Sequence, residues 1–203
     1  MRRFIGILSS IALAGVLFSC GPATTKGEEM ENNRYTEREA IETIFSRKSV
    51  RQYQDRAVEK EKVDLLLRAG MSAPSGMDRR PWQFLVIDDR ETLNNMAEGL
   101  PYAKMLTHAP LAIVVCGDAE MSSYWYLDCS AAAQNILLAA EALGLGAVWT
   151  AAYPYDDRMQ VVRDNTGLPE NVFPLTVIPV GYPEGEHLPK DKFDATRIHI
   201  NKW

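Results

Sequence analysis

Arg47-Lys48-Ser49-Val50-Arg51 places three cations and a hydroxyl within one short run. Guanidinium forks, an ammonium and a hydroxyl are the donors a phosphate monoester accepts. The same composition describes a solvated basic turn, and charge patterning taken alone favours that plainer reading. A second stretch bearing chemistry follows, Ala73-Pro74-Ser75-Gly76-Met77-Asp78-Arg79-Arg80-Pro81-Trp82. Other chemistries lack their residues. His108, His187 and His199 are scattered, and no C-x-x-C or H-E-x-x-H occurs, so a metal site is not expected. No G-x-x-x-x-G-K-[ST] run and no nucleophile elbow is present. Gly144-Leu145-Gly146 lies between a helix and the following strand, whereas a dinucleotide fingerprint lies between a strand and the following helix.

The elements that must position these residues can be read from periodicity. Thr36-Glu37-Arg38-Glu39 reads as a capping box before a helix carrying Ala40, Ile41, Ile44 and Phe45. A second helix is expected over 59–71, stopped by Pro74, then a strand over 82–87, a helix over 90–98 and a strand over 111–116. The longest helix is expected over 124–143. Its centre, AAAQNILLAAEAL, is apolar nearly all round, which predicts burial on most sides and points to a subunit interface. Gly144 stands where a C′ residue would end it. A strand over 147–153, a helix over 156–165 with Gly167 beyond it, and a strand over 175–180 follow. Ile198 and Ile200 suggest an extended tail over 193–203. Helices interspersed with about four strands indicate one mixed α+β layer fold.

At the N-terminal end, Arg2 and Arg3 precede an apolar stretch from Phe4 to Phe18 that is short for a membrane span. It closes on Leu17-Phe18-Ser19-Cys20, which resembles the lipobox of bacterial lipoproteins. That resemblance implies a signal peptide over 1–19, lipidation of Cys20, a polar tether over 20–33, and a domain over 34–203 held at the cell envelope through its lipid alone. An uncleaved helical anchor and ordinary secretion are the alternatives. The net charge of −5 offers no broad basic face for nucleic acid. Cys116 and Cys129 read as small buried hydrophobes, with a disulfide between them left open.

RKSVRQY, APSGMDRRPWQF, DCSAAAQNILLAAEALGLGAVWTA and PVGYPEG, in that order between about Glu39 and Ile200, resemble the FMN-dependent nitroreductase family. The resemblance implies a nitroreductase-like α+β fold, a mainly antiparallel sheet flanked by helices, in an intertwined homodimer with FMN at the interface. Arg47, Lys48 and Ser49 match positions that hold the FMN phosphate. Arg51 matches the cation beside flavin N1, where negative charge gathers on reduction. Pro74, Ser75 and Gly76 match a loop covering the cofactor from the partner subunit, and Trp149, Thr150 and Ala151 match the strand end whose backbone approaches N5. Lys190 and Lys192 stand where the family places further phosphate cations, a mobile basic loop being the equal alternative. The implied activity is ping-pong hydride transfer from NAD(P)H to a nitroaromatic, quinone or similar acceptor, with no acid or base from the protein assigned.

The chain departs from the family at Asp78 and Arg80, where Asn and Gln are usual. An ionised Asp only accepts hydrogen bonds, and its charge opposes reduced flavin unless Arg80 neutralises it. The pair is therefore expected to retune the flavin potential, unless Asp78 simply faces solvent. Two other classes remain beside the enzyme: a flavin-holding redox relay without turnover, and a surface scaffold lipoprotein. The segment from Asn94 to His108 is the candidate lid.

Overall fold

A computed structural model describes residues 39–203; the expected signal peptide, Cys20, the expected tether and most of the expected capping box lie outside the described residues. Helix α1 occupies 39–46. Then come α2 (Lys60–Met71), β1 (Trp82–Ile87), α3 (Arg90–Gly99), β2 (Leu111–Asp118), α4 (Trp125–Ala142), β3 (Gly146–Ala147), β4 (Thr150–Ala151), α5 (Asp156–Thr166) and β5 (Val172–Gly181). Local chemistry sets several boundaries. The Asp89 carboxylate accepts from Thr92 N–H at 2.8 Å and caps α3. Gly144 (φ 69°) and Gly167 (φ 68°) take the left-handed conformation that ends α4 and α5.

The sheet runs β1-β2-β5-β3, with β4 also on β5, and every pairing is antiparallel. Strands β2 and β5 are buried along almost their whole length because helices cover both faces. Alternation divides the core accordingly. Ile113, Val115 and Ile178 meet Leu66 of α2 and Ile136 of α4 on one face. Ala112, Val114 and Val177 meet Leu93, Met96 and Val162 from α3 and α5 on the other. Each such large side chain contributes roughly 1.5–3 kcal/mol on burial.

Three expectations change form. The strand expected over 147–153 is interrupted. Continuing the β3 register would set Val148 against Pro179, which has no N–H to offer, and pairing resumes only at Thr150↔Val177. Within a single chain the long helix is covered on only part of its surface. Cys129, Ala132, Ala133, Ile136 and Ala140 fill the core of their own chain, while Tyr124, Leu127 and Gln134 are exposed. The tail forms no ladder; it holds a short 3-10 turn at Ala195–Arg197 and exposes Leu188, Phe193, Ile198, Ile200 and Trp203.

Cys116 and Cys129 are both buried free thiols, Cys129 donating to the Cys116 carbonyl at 3.3 Å. Burial pushes each thiol up to about 12. Both faces of the sheet therefore close without a disulfide.

Candidate functional site

The basic run is fixed by its backbone. Val50 N–H donates to Ala147 O at 3.0 Å and Ser49 bridges Ala147, so residues 49–50 lie alongside β3. Val50 and Tyr53 are buried, and the Tyr53 hydroxyl donates to Val50 O at 2.7 Å and Pro179 O at 3.2 Å. Desolvation raises the Tyr53 hydroxyl well above its ordinary range, so it stays a donor. Gly146 is the residue that admits this packing, because a Cβ there would stand 2.6 Å from a Val50 methyl. The two glycines that superficially suggested a nucleotide turn thus serve a helix end and a close approach.

With Val50 and Tyr53 buried, neighbouring side chains of the run line a cavity of about 260 Å³. Arg47, Lys48, Ser49 and Arg51 form one wall; Leu188, Lys190 and Lys192 form the other. Among the described residues, Arg47, Arg51, Lys190 and Lys192 are paired with no carboxylate. Four uncompensated cations and a hydroxyl around one space suit a dianion. Lys48 differs: its ammonium donates to Glu141 Oε1 at 2.7 Å. Glu141, at the end of α4, is a site neighbour that sequence reasoning missed; its only signal was an acid closing an otherwise apolar stretch of that helix. A larger adjoining hollow of about 790 Å³ adds Ile44, Phe45 and Phe193 to Arg47, Lys190 and Lys192.

The other residues expected at the site stand apart from this cavity. Trp149 is half-buried and Thr150 buried. Thr150 Oγ1 donates to Val177 O at 2.6 Å, and its carbonyl accepts from Thr176 Oγ1 at 2.9 Å. That leaves backbone, not hydroxyl, as what positions 149–151 can present. Pro74, Ser75 and Gly76 begin a tight loop in which Met77, Asp78 and Arg80 all take positive φ, at 52°, 55° and 49°. Such backbone in residues other than glycine costs on the order of 1–3 kcal/mol each and collects at functional sites. Asp78 and Arg80 form a two-pronged pair, with Nε to Oδ1 at 2.7 Å and a second contact from Nη2 to Oδ2. Arg80 holds the exposed Asp78 carboxyl below its ordinary range. Gly76 N–H donates to Asp128 Oδ1 at 2.9 Å, a second link that sequence reasoning missed.

The tail is rooted by Tyr182 against the start of α2. Its hydroxyl donates to Glu59 Oε2 at 2.6 Å and accepts from Lys62 at 3.0 Å, with the Arg56 guanidinium over the ring at 3.7 Å. The Tyr182 bond, ahead of contributions from the backbone and Arg56, lowers the Glu59 carboxyl to about 2. In the expected lid segment, Lys104 donates to the Ala97 and Glu98 carbonyls and Leu106 is buried, so it is packed against α3.

Known proteins resemble this chain in sequence and fold. A protein from Methanothermobacter thermautotrophicus, described as a candidate NADH dehydrogenase/NAD(P)H nitroreductase, is 46% identical over 85% of this chain and 92% of its own. A solved structure from Bacteroides thetaiotaomicron with the same description is 66% identical, with TM-score 0.81 over 81% of this chain and 98% of its own. The FMN-dependent nitroreductase structure from Clostridium difficile R20291 is 33% identical, with TM-score 0.77 over 80% and 99%. The Nitroreductase family profile matches residues 44–100 and 97–182. The chain belongs to the Nitroreductase family.

Proposed function

We propose that this protein is an FMN-dependent oxidoreductase drawing electrons from NAD(P)H. The observation that carries the reading is the cavity joining Arg47, Ser49 and Arg51 to Lys190 and Lys192, with no carboxylate among the described residues pairing these four cations. Its donor set matches a phosphate monoester, and the relatives' descriptions name FMN and NAD(P)H. When bound, FMN supplies the two-electron chemistry, accepting hydride from a reduced nicotinamide and passing it to an oxidant. Arg47, Ser49, Lys190 and Lys192 hold the phosphate dianion, and Lys48 keeps the wall in place through Glu141. Arg51 stabilises negative charge near flavin N1. Trp149, Thr150 and Ala151 contribute backbone toward N5, and the loop of Pro74, Ser75 and Gly76 covers the cofactor. Asp78 accepts from the flavin edge while Arg80 offsets its charge; an unchanged midpoint potential in Asp78→Asn would refute that role. The acceptor is a small flat oxidant, a nitroaromatic or quinone, taken in turn at the same face.

The working unit in this reading is a homodimer. The exposed Tyr124, just before α4, and Leu127 within it, with Phe45 and the apolar tail residues, leave one chain with much uncovered apolar surface. A monomeric mass in solution sinks this part. The envelope location rests on Cys20 as the lipidated residue; Cys20→Ser should move the protein from the membrane to the soluble fraction.

The deciding experiment is the absorption spectrum of the purified protein under argon. Yellow colour that bleaches on adding NADPH or NADH supports the enzyme. Colour without bleaching by either favours a flavin relay, and a colourless protein that FMN does not stabilise favours a scaffold.

A further inference from the structure

Asp128 is the one charged side chain buried among the described residues, and no cation is paired with it. A buried carboxylate is costly unless its charge is met by hydrogen bonds. Asp128 has two neutral donors: Gly76 N–H at 2.9 Å and the Ser122 hydroxyl at 3.3 Å. Ser122 in turn accepts from Tyr124 N–H at 3.1 Å, so the carboxylate is braced at the first turn of α4, where the helix dipole favours an anion.

What Asp128 grips is the root of the strained loop. Most bonds within that loop close it upon itself: Asp78 N–H to Ser75 O, Arg79 N–H to Gly76 O, and Arg80 N–H to Ser75 Oγ at 3.0 Å. The links outward are Arg79 to Met121 O, at an exposed position, and Gly76 to the buried Asp128. Left-handed backbone at Met77, Asp78 and Arg80 persists only where surroundings over-determine it. We infer that Asp128 is a positioning residue for the flavin: its carboxylate fixes the Ser75–Gly76 peptide, and through it the placement of Ser75 and Asp78 against the cofactor. This rests on the FMN reading above.

The test uses full-length protein in detergent, comparing Asp128→Ala, Asp128→Ser and Asp128→Asn with the parent. Asn retains an oxygen for Gly76 N–H; Ala has none, and Ser is too short to reach. FMN affinity in Ala and Ser should fall about tenfold or more, with Asn within about threefold of the parent. The visible circular dichroism of bound FMN should change in Ala and Ser alone, a signature that loss of stability by itself does not produce. Parent-like affinity and dichroism in either Ala or Ser, whatever the melting temperature, overturns the role. An Asn variant as weak as Ala overturns its hydrogen-bond basis. A parent that takes up no FMN refutes the site reading, and this inference with it.

Discussion

The two walls of the basic cavity carry similar charge on opposite kinds of support. Residues 47–51 sit on a bridge to β3, with Val50 and Tyr53 sunk in the core and a hydroxyl clamped between two carbonyls. Residues 188–192 belong to a tail whose apolar side chains are exposed and whose root is the Tyr182 knot. One wall is preorganised. The other must be ordered by whatever it meets, and ordering a long cation costs side-chain entropy. The cations without a carboxylate partner, two on each wall among the described residues, should therefore contribute unequally.

The largest expected effect follows. Arg47→Ala with Ser49→Ala should weaken FMN binding about a hundredfold, while Lys190→Ala with Lys192→Ala should cost about tenfold or less and show the steeper salt dependence. Titration of FMN at two ionic strengths checks this; equal losses from the two walls would erase the distinction, and an intact affinity in the first pair would refute the phosphate assignment. A smaller effect is expected in stability. Tyr53→Phe strands two buried carbonyls and should cost about 1–3 kcal/mol, whereas Phe193→Ala should stay within about 0.5 kcal/mol in a monomer. Denaturant melts of the apoprotein separate the two, and a large Phe193 effect would show that a partner covers the tail. The smallest concerns the knot. Glu59 sits at about 2 rather than its ordinary 4.5, so its contribution is complete above 4.5 and is lost as pH falls toward 2. Glu59→Gln should therefore flatten the acid limb of stability in that window. An unaltered slope would mean that the Tyr182 bond does not persist in solution.

Much of the scaffold was legible because its causes are local. Asp89 capping α3, Gly144 and Gly167 ending their helices, and the apolar runs of β2 and β5 depend on residues within a turn or a strand of each other. The departures came where distant chain segments meet. Periodicity showed α4 to be apolar on most sides, but not which sides its own chain covers and which are left for the expected subunit interface. The break at Val148 came from Pro179, on a strand that lies beyond a whole intervening helix.

The same division holds at the site. The residue order alone put Arg47, Lys48, Ser49 and Arg51 in one run able to offer donors to a phosphate, and its four motifs carried the resemblance to the family. It also marked Asp78 and Arg80 as a departure, since residue types and their order are sequence properties. Folding alone decided that Lys190 and Lys192 face Arg47, that Lys48 spends its charge on Glu141, and that Asp128 holds Gly76. Those outcomes depend on where the chain returns in space, and electrostatics and hydrogen bonding act over ångströms of distance, not over positions along the chain.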